Sequence, residues 1–190
     1  MTEYGKSLQA NPTAIPGLTV WDLPVHGDNR GWFKENWQRE KMVAAGLPDF
    51  GPVQNNVSFN DAEGTTRGIH AEPWDKFVSV ASGRIFDVAV DIRPDSATFG
   101  RWLGVYLDGE KHEQLFVPVG FAHGFCVVSE TADVMYRVSA PYDPKTECTL
   151  AWDDPDIGVK WPVSSPVLSA RDQAGQSLRD LRASLSGKLR

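Results

Sequence analysis

The segment Arg84-Ile-Phe-Asp-Val-Ala-Val-Asp-Ile92 alternates apolar and polar side chains, though imperfectly. A period of two sends successive side chains to opposite faces of a strand. Outward from it, glycines and prolines cut the chain into similar short pieces: 15–23, 31–35, 53–59, 77–81, 102–107, 114–117, 125–128 and 134–138. Turn signals separate many of them, at SG (82–83), RPDS (93–96), LDGE (107–110) and PVG (118–120). Only 36–45, ended by Gly46, and 169–181 read as helix. Short strands at near-regular spacing predict an all-β sandwich or barrel with a few short peripheral helices.

The 190 residues suit one domain over 1–190, with 1–14 and 183–190 as flexible ends. A net charge of −6 argues against a nucleic-acid partner and leaves an anionic small molecule open. No apolar run approaches the roughly 18 residues that span a bilayer. The N-terminus, MTEYGKSLQANPTAIPG, lacks the basic-then-apolar order of a signal peptide, which predicts a cytoplasmic protein with no membrane partner. Two cysteines are too few for a disulfide scaffold, and Cys126 in its apolar run reads as a buried free thiol.

The histidines raise the question of a metal. Pro118-Val-Gly-Phe-Ala-His123-Gly-Phe125 has the Pro-x-Gly-x-x-His spacing of the second motif of cupin jelly rolls, to which it is similar. The glycine permits the tight turn, after which the histidine points inward. The first such motif would need a His-x-His pair followed by glutamate. Arg67-Gly-Ile-His-Ala-Glu-Pro-Trp-Asp-Lys76 supplies His70 alone. His70, His123 and Glu72 could form a facial triad, but a histidine is missing and Pro73 follows Glu72, so no metal is predicted. The plainer reading of His70 and His123 is a pair of core histidines satisfied by hydrogen bonds. His26 and His112 read as solvated surface.

RGIH with a following lysine, FDVAVDIRPDSATFGRW, PVGFAHGF, VMYRVSAPYDP with Glu147 after it, WDDPDIGVKWP and LSARD occur in one order. Together they resemble the dTDP-4-dehydrorhamnose 3,5-epimerases, from about Ile15 to Asp172. That resemblance implies a cupin jelly roll, no cofactor, a homodimer and a dTDP-sugar substrate inverted at C3 and C5. By position it implies that His70 is the base and Asp172 its carboxylate partner. Tyr136 would be the acid on the opposite face, and Lys76 would lie near the C4 oxygen. His123, Arg67, Gln54, Asn56, Tyr142 and Glu147 fall on pocket positions. Arg30, Phe33 and Glu35 fall on an N-terminal segment that members insert into the partner's nucleotide site.

These residue types suit the chemistry. A C4 ketone acidifies the hydrogens on C3 and C5, so inversion needs a base on one face and an acid on the other. Histidine, with an ordinary pKa near 6.5, is a base at neutral pH, and a carboxylate fixes its tautomer. A phenol is protonated at pH 7, and a lysine stabilises an enolate. Arginines grip a diphosphate, with Arg30 and Arg67 as the candidates, and Phe33 and one or more of the tryptophans offer a flat surface to a base. Members commonly carry an aromatic residue and then glutamine after the histidine, and a longer connection to the lysine. Here Ala71, Glu72 and a shorter loop stand instead. The change bears on the aromatic residue's pocket contact and on the reach of Lys76. The alternatives are a single-centre epimerase, a non-catalytic sugar-nucleotide-binding cupin and a metal-dependent oxygenase. No GxGxxG segment occurs, so no fused reductase is expected.

Overall fold

The structure, a computed structural model, describes residues 2–187. The first strands are β1 (Gln9–Pro12), β2 (Thr19–Asp22), β3 (Val25–Asp28) and β4 (Gly31–Lys34), followed by helix α1 (Arg39–Ala44). Then come β5 (Gln54–Asn60), β6 (Thr66–Ala71), β7 (Lys76–Ser82), β8 (Arg84–Asp91) and β9 (Trp102–Asp108). The chain closes with β10 (Gln114–Val117), β11 (Phe121–Val127), β12 (Ala132–Val138), β13 (Cys148–Thr149), α2 (Ala170–Gln173) and α3 (Leu178–Gly187).

Two antiparallel sheets form a jelly-roll sandwich. One has the order β1-β2-β10-β7-β12-β5, the other β13-β6-β11-β8-β9, and β3-β4 stand apart as a hairpin. Between the sheets lies a core of Val78, Val80, Leu115, Val117 and Val134 from the first and Ile85, Ala89, Phe121, Phe125 and Val127 from the second. A second cluster covers the outer face of the five-stranded sheet, where Phe86, Val88 and Val90 meet Leu150, Ile157, Leu178 and Leu181. A third covers part of the six-stranded sheet with Met42 and Leu47 over Trp21, Phe77 and Phe116. The imperfect alternation of β8 now has a cause. Its odd and even apolar residues face two different cores, so nearly the whole strand is buried.

Asp91 closes that strand. It is fully buried and accepts bonds from Arg93, Ser96 and Thr98 at 2.5–3.0 Å, which fixes the RPDSAT turn. Burial pushes its carboxyl up, but these donors outweigh burial and hold it well below the usual range. Its contribution to stability is therefore complete above the unfolded carboxylate pKa of about 3.9 and is lost as pH falls below it.

Several expectations change. Residues 9–12, within the stretch read as a flexible end, pair with β2 as an edge strand. In 15–23 only 19–22 are strand, because Ile15 and Leu18 anchor a tight turn around Gly17, at φ +105°. Strand β6 was not foreseen, since Gly68 breaks its apolar pattern. The helix expected at 169–181 splits in two: at Gly175 an added Cβ would lie 2.5 Å from the Leu150 carbonyl, and Gln176 pairs with Leu150. Helix α3 runs to Gly187, and the rest of that expected flexible end lies outside the described residues. His112 is fully buried, its ring centroid 4.4 Å from that of Trp32 and tilted by 59°, and is not the solvated residue expected. His26 is exposed and Cys126 is a buried free thiol, as the sequence predicted. Gly46 ends α1 at φ +103°. Among the described residues no helix is long and apolar enough to cross a membrane.

Candidate active site

His70 on β6 and His123 on β11 are direct cross-strand partners. Two glycines make this register possible. An added Cβ at Gly68 would lie 2.7 Å from Gly124 Cα, and one at Gly124 would lie 2.8 Å from the Arg67 carbonyl. Gly68 also needs φ +110°, which L side chains avoid. Both imidazoles line a cavity of about 820 Å³ that draws on both sheets.

Asp172 reaches His70 from the first turn of α2. Its backbone N–H bonds the Ser169 hydroxyl, the helix N-cap, at 3.1 Å. Its carboxylate Oδ1 lies 2.7 Å from His70 Nε2. A carboxylate only accepts, so this contact puts the neutral ring's proton on Nε2 and leaves the Nδ1 lone pair free. Among the described residues nothing hydrogen-bonds Nδ1. Burial pushes the Asp172 carboxyl up, but His70, Ser169 and the Gly68 N–H outweigh it and hold it below its ordinary value. The carboxylate therefore stays charged beside the imidazole.

Arg171 and Glu147 complete this corner. Arg171 Nη1 lies 2.9 Å from Glu147 Oε1, and Nη2 lies 3.1 Å from His70 Nε2. With Nε2 protonated, that last contact joins two donors; Glu147 and Asp172 hold the guanidinium there. Glu147 Oε1 stands 3.7 Å from His70 Nε2, so two carboxylates flank this side of the ring.

The opposite wall comes from the six-stranded sheet. Tyr136 on β12 is half-buried, and its hydroxyl takes no hydrogen bond among the described residues. Burial, and next the Glu72 carboxylate, raise its phenol above the ordinary value. Lys76, at the start of β7, is buried and ion-paired to Glu72. Gln54 and Asn56 on β5 are bonded to each other at 2.7 Å, and the Gln54 carbonyl oxygen accepts the Tyr142 N–H. Arg67 is held by Asn60 at 2.8 Å. His123 Nε2 is 2.7 Å from the fully buried Asp87. Each histidine thus turns Nε2 to its own carboxylate. Among the described residues no three His, Cys, Asp or Glu side chains converge as a metal site.

Every predicted site residue lines this cavity except Arg30, Phe33 and Glu35. Those three belong to the hairpin and its exit, where Arg30 pairs with Asp28, Glu35 with Lys41, and Phe33 is 68% exposed. The sequence reading passed over Arg171 and Asp87, and it did not single out Trp74 among the tryptophans. Asp87 carried a signal, a charge within an apolar strand. Arg171 carried none beyond its place beside Asp172. Trp74 is buried on the cavity wall, 6.2 Å from the Tyr142 ring. Ala71 packs with Ile69 and Leu150 in the outer core and does not line the cavity, so its small side chain removes no pocket contact. The shortened loop still delivers Lys76 to the pocket.

Residues 12–180 match the sequence model of the family described as dTDP-4-dehydrorhamnose 3,5-epimerase. A relative of that name from Shigella flexneri is 41% identical over 172 residues, covering 88% of this chain and 94% of its own. Another from Neisseria gonorrhoeae is 41% identical over 169 residues; the match covers 87% of this chain but only 51% of that relative. Among solved structures, a dTDP-6-deoxy-D-glucose-3,5-epimerase from Legionella pneumophila in complex with dTDP-4-keto-L-rhamnose superposes with a TM-score of 0.88 at 38% identity, covering 94% of this chain and 97% of that one. A 3′-monoepimerase from Streptomyces bikiniensis in complex with dTDP-quinovose gives 0.85 at 32% identity, covering 93% and 90%.

Proposed function

This chain belongs to the dTDP-4-dehydrorhamnose 3,5-epimerase family, and on that premise we propose that it inverts C3 and C5 of dTDP-4-dehydro-6-deoxy-D-glucose, giving dTDP-4-dehydro-L-rhamnose. The observation that carries this reading is the meeting of an Nδ1-free imidazole, a buried ammonium and an unbonded phenol in one cavity. His70 Nδ1 takes the proton next to the ketone, and Asp172 and Glu147 favour the imidazolium that results. Lys76 faces the negative charge that develops on the C4 oxygen. Tyr136, from the other sheet, returns a proton to the opposite face of the carbon. Arg67 and Arg171 supply guanidinium groups for the diphosphate. His123, held by Asp87, together with Gln54, Asn56 and Tyr142, orients the sugar and nucleotide.

Incubation with this substrate in deuterated water, read by NMR, tests the proposal. Deuterium is expected at both C3 and C5. Label at one carbon alone selects a single-centre enzyme, the reading that the likeness to a 3′-monoepimerase keeps in play. No label at either carbon removes the activity and leaves a binding protein.

We further propose a cytoplasmic homodimer in which the β3-β4 hairpin enters the partner's cavity. The hairpin holds Arg30 and an exposed Phe33, and neither lines the cavity of its own chain. The edge strand β5 and the residue before it also expose Val53, Val57 and Phe59 at 61–64%, apolar area suited to burial against a second copy. Sedimentation equilibrium is expected to give twice the 21.0 kDa chain mass. Phe33→Ala is expected to weaken dTDP binding by about 1–3 kcal/mol, the usual loss for one stacked base. A monomer, or undiminished binding in Phe33→Ala, refutes the exchange.

A further inference from the structure

Glu72 lies in the shortened loop between the proposed base and the lysine, lines the cavity, and has no role in the reaction as described above. Its carboxylate is ion-paired with Lys76 four residues on, and both side chains are 8% exposed. An unpaired buried carboxylate or ammonium is costly, so each charge holds the other in the cavity. We infer that Glu72 is a positioning residue, which fixes the Lys76 ammonium toward the substrate's carbonyl oxygen and keeps a negative charge in the cavity that the Tyr136 phenol lines.

This rests on the epimerase reading of the cavity. The charged and titratable groups that share the cavity with Tyr136 include Lys76, His70 and His123, and those that act on it most strongly are Glu72, Arg67, Glu147 and Tyr142. After burial, Glu72 acts most strongly among the causes that raise the phenol's pKa, Glu147 and Tyr142 act in the same direction, and Arg67 opposes them. A negative neighbour disfavours phenolate, so the phenol keeps its proton to higher pH. Removing that charge lets the phenol ionise at lower pH, and a proton donor is lost earlier. The alkaline limb of the rate profile then moves toward neutrality. In this arrangement Glu72 orients the cation and preserves the donor without exchanging a proton with substrate.

The test compares wild type with Glu72→Gln and Glu72→Asp on dTDP-4-dehydro-6-deoxy-D-glucose, with dTDP binding as the check on folding. In Glu72→Gln, kcat is expected to fall about ten- to hundredfold, as misplacement of a catalytic group does. KM should change little, and the alkaline limb should shift to lower pH. Glu72→Asp keeps the charge and should keep the limb at its wild-type position while losing part of kcat. A Gln variant with wild-type kcat and an unmoved limb overturns the inference. So does an Asp variant whose limb moves as far as that of Gln, a comparison that holds even if the Gln variant binds dTDP poorly. If the wild-type protein exchanges no deuterium, the epimerase reading fails instead, before any variant is compared.

Discussion

Replacing His70 with alanine is expected to abolish deuterium entry at both C3 and C5, with a rate loss of about 10²–10⁴-fold or more. The site offers no substitute base. His123 is its cross-strand neighbour, but Asp87 already engages that imidazole, and its partner strand β8 fixes its direction. Asp172 and Glu147 are tied to Arg171 and lie behind the His70 ring as seen from Nδ1. His70 is half-buried at the cavity wall, so its removal opens space into the pocket and spares the core. The variant should therefore fold and bind dTDP. NMR in deuterated water checks the result. Exchange surviving above about a tenth of the wild-type rate, where a lost general base should cost a hundredfold or more, would exclude His70 as the base.

Tyr136→Phe should divide two measurements that normally move together. The base still removes a proton and takes deuterium from solvent, so label still enters at the retained configuration. Inversion should fall by about 10²–10⁴-fold because the opposite-face donor is gone. Phenylalanine keeps the ring packed against the inter-sheet core, and the deleted hydroxyl has no bond to lose. Stability is thus expected to stay near wild type, and a loss of activity can be assigned to chemistry. Equal loss of exchange and inversion would contradict the division of roles.

The sandwich was legible because period-two patterning and turn residues are local signals. Strands β8, β10 and β12 could be read from their own residues, and Gly120 at φ +93° makes the turn its motif required. The site was less legible for a physical reason. His70 and Asp172 meet at 2.7 Å across 102 residues, and no spacing rule links them. Only resemblance joined them. Glycine hid β6, because Gly68 answers to Gly124 on another strand and not to its own neighbours. His112 looked solvated because its neighbours in sequence are charged, while its neighbour in space is Trp32. Trp74 and Arg171 carry ordinary local context and gain meaning only from the cavity that the two sheets enclose.

That cavity takes its two histidines from one sheet and its lysine and tyrosine from the other. The proposed proton donor and acceptor thus hang from separate walls, and the thickness of the sandwich acts as the caliper that spaces them. Val78, Val134 and Val127, which fill the core between the sheets and do not line the cavity, set that gauge through their volume. Under the proposed roles, proton removal belongs to the wall that carries β6 and proton return to the wall that carries β12.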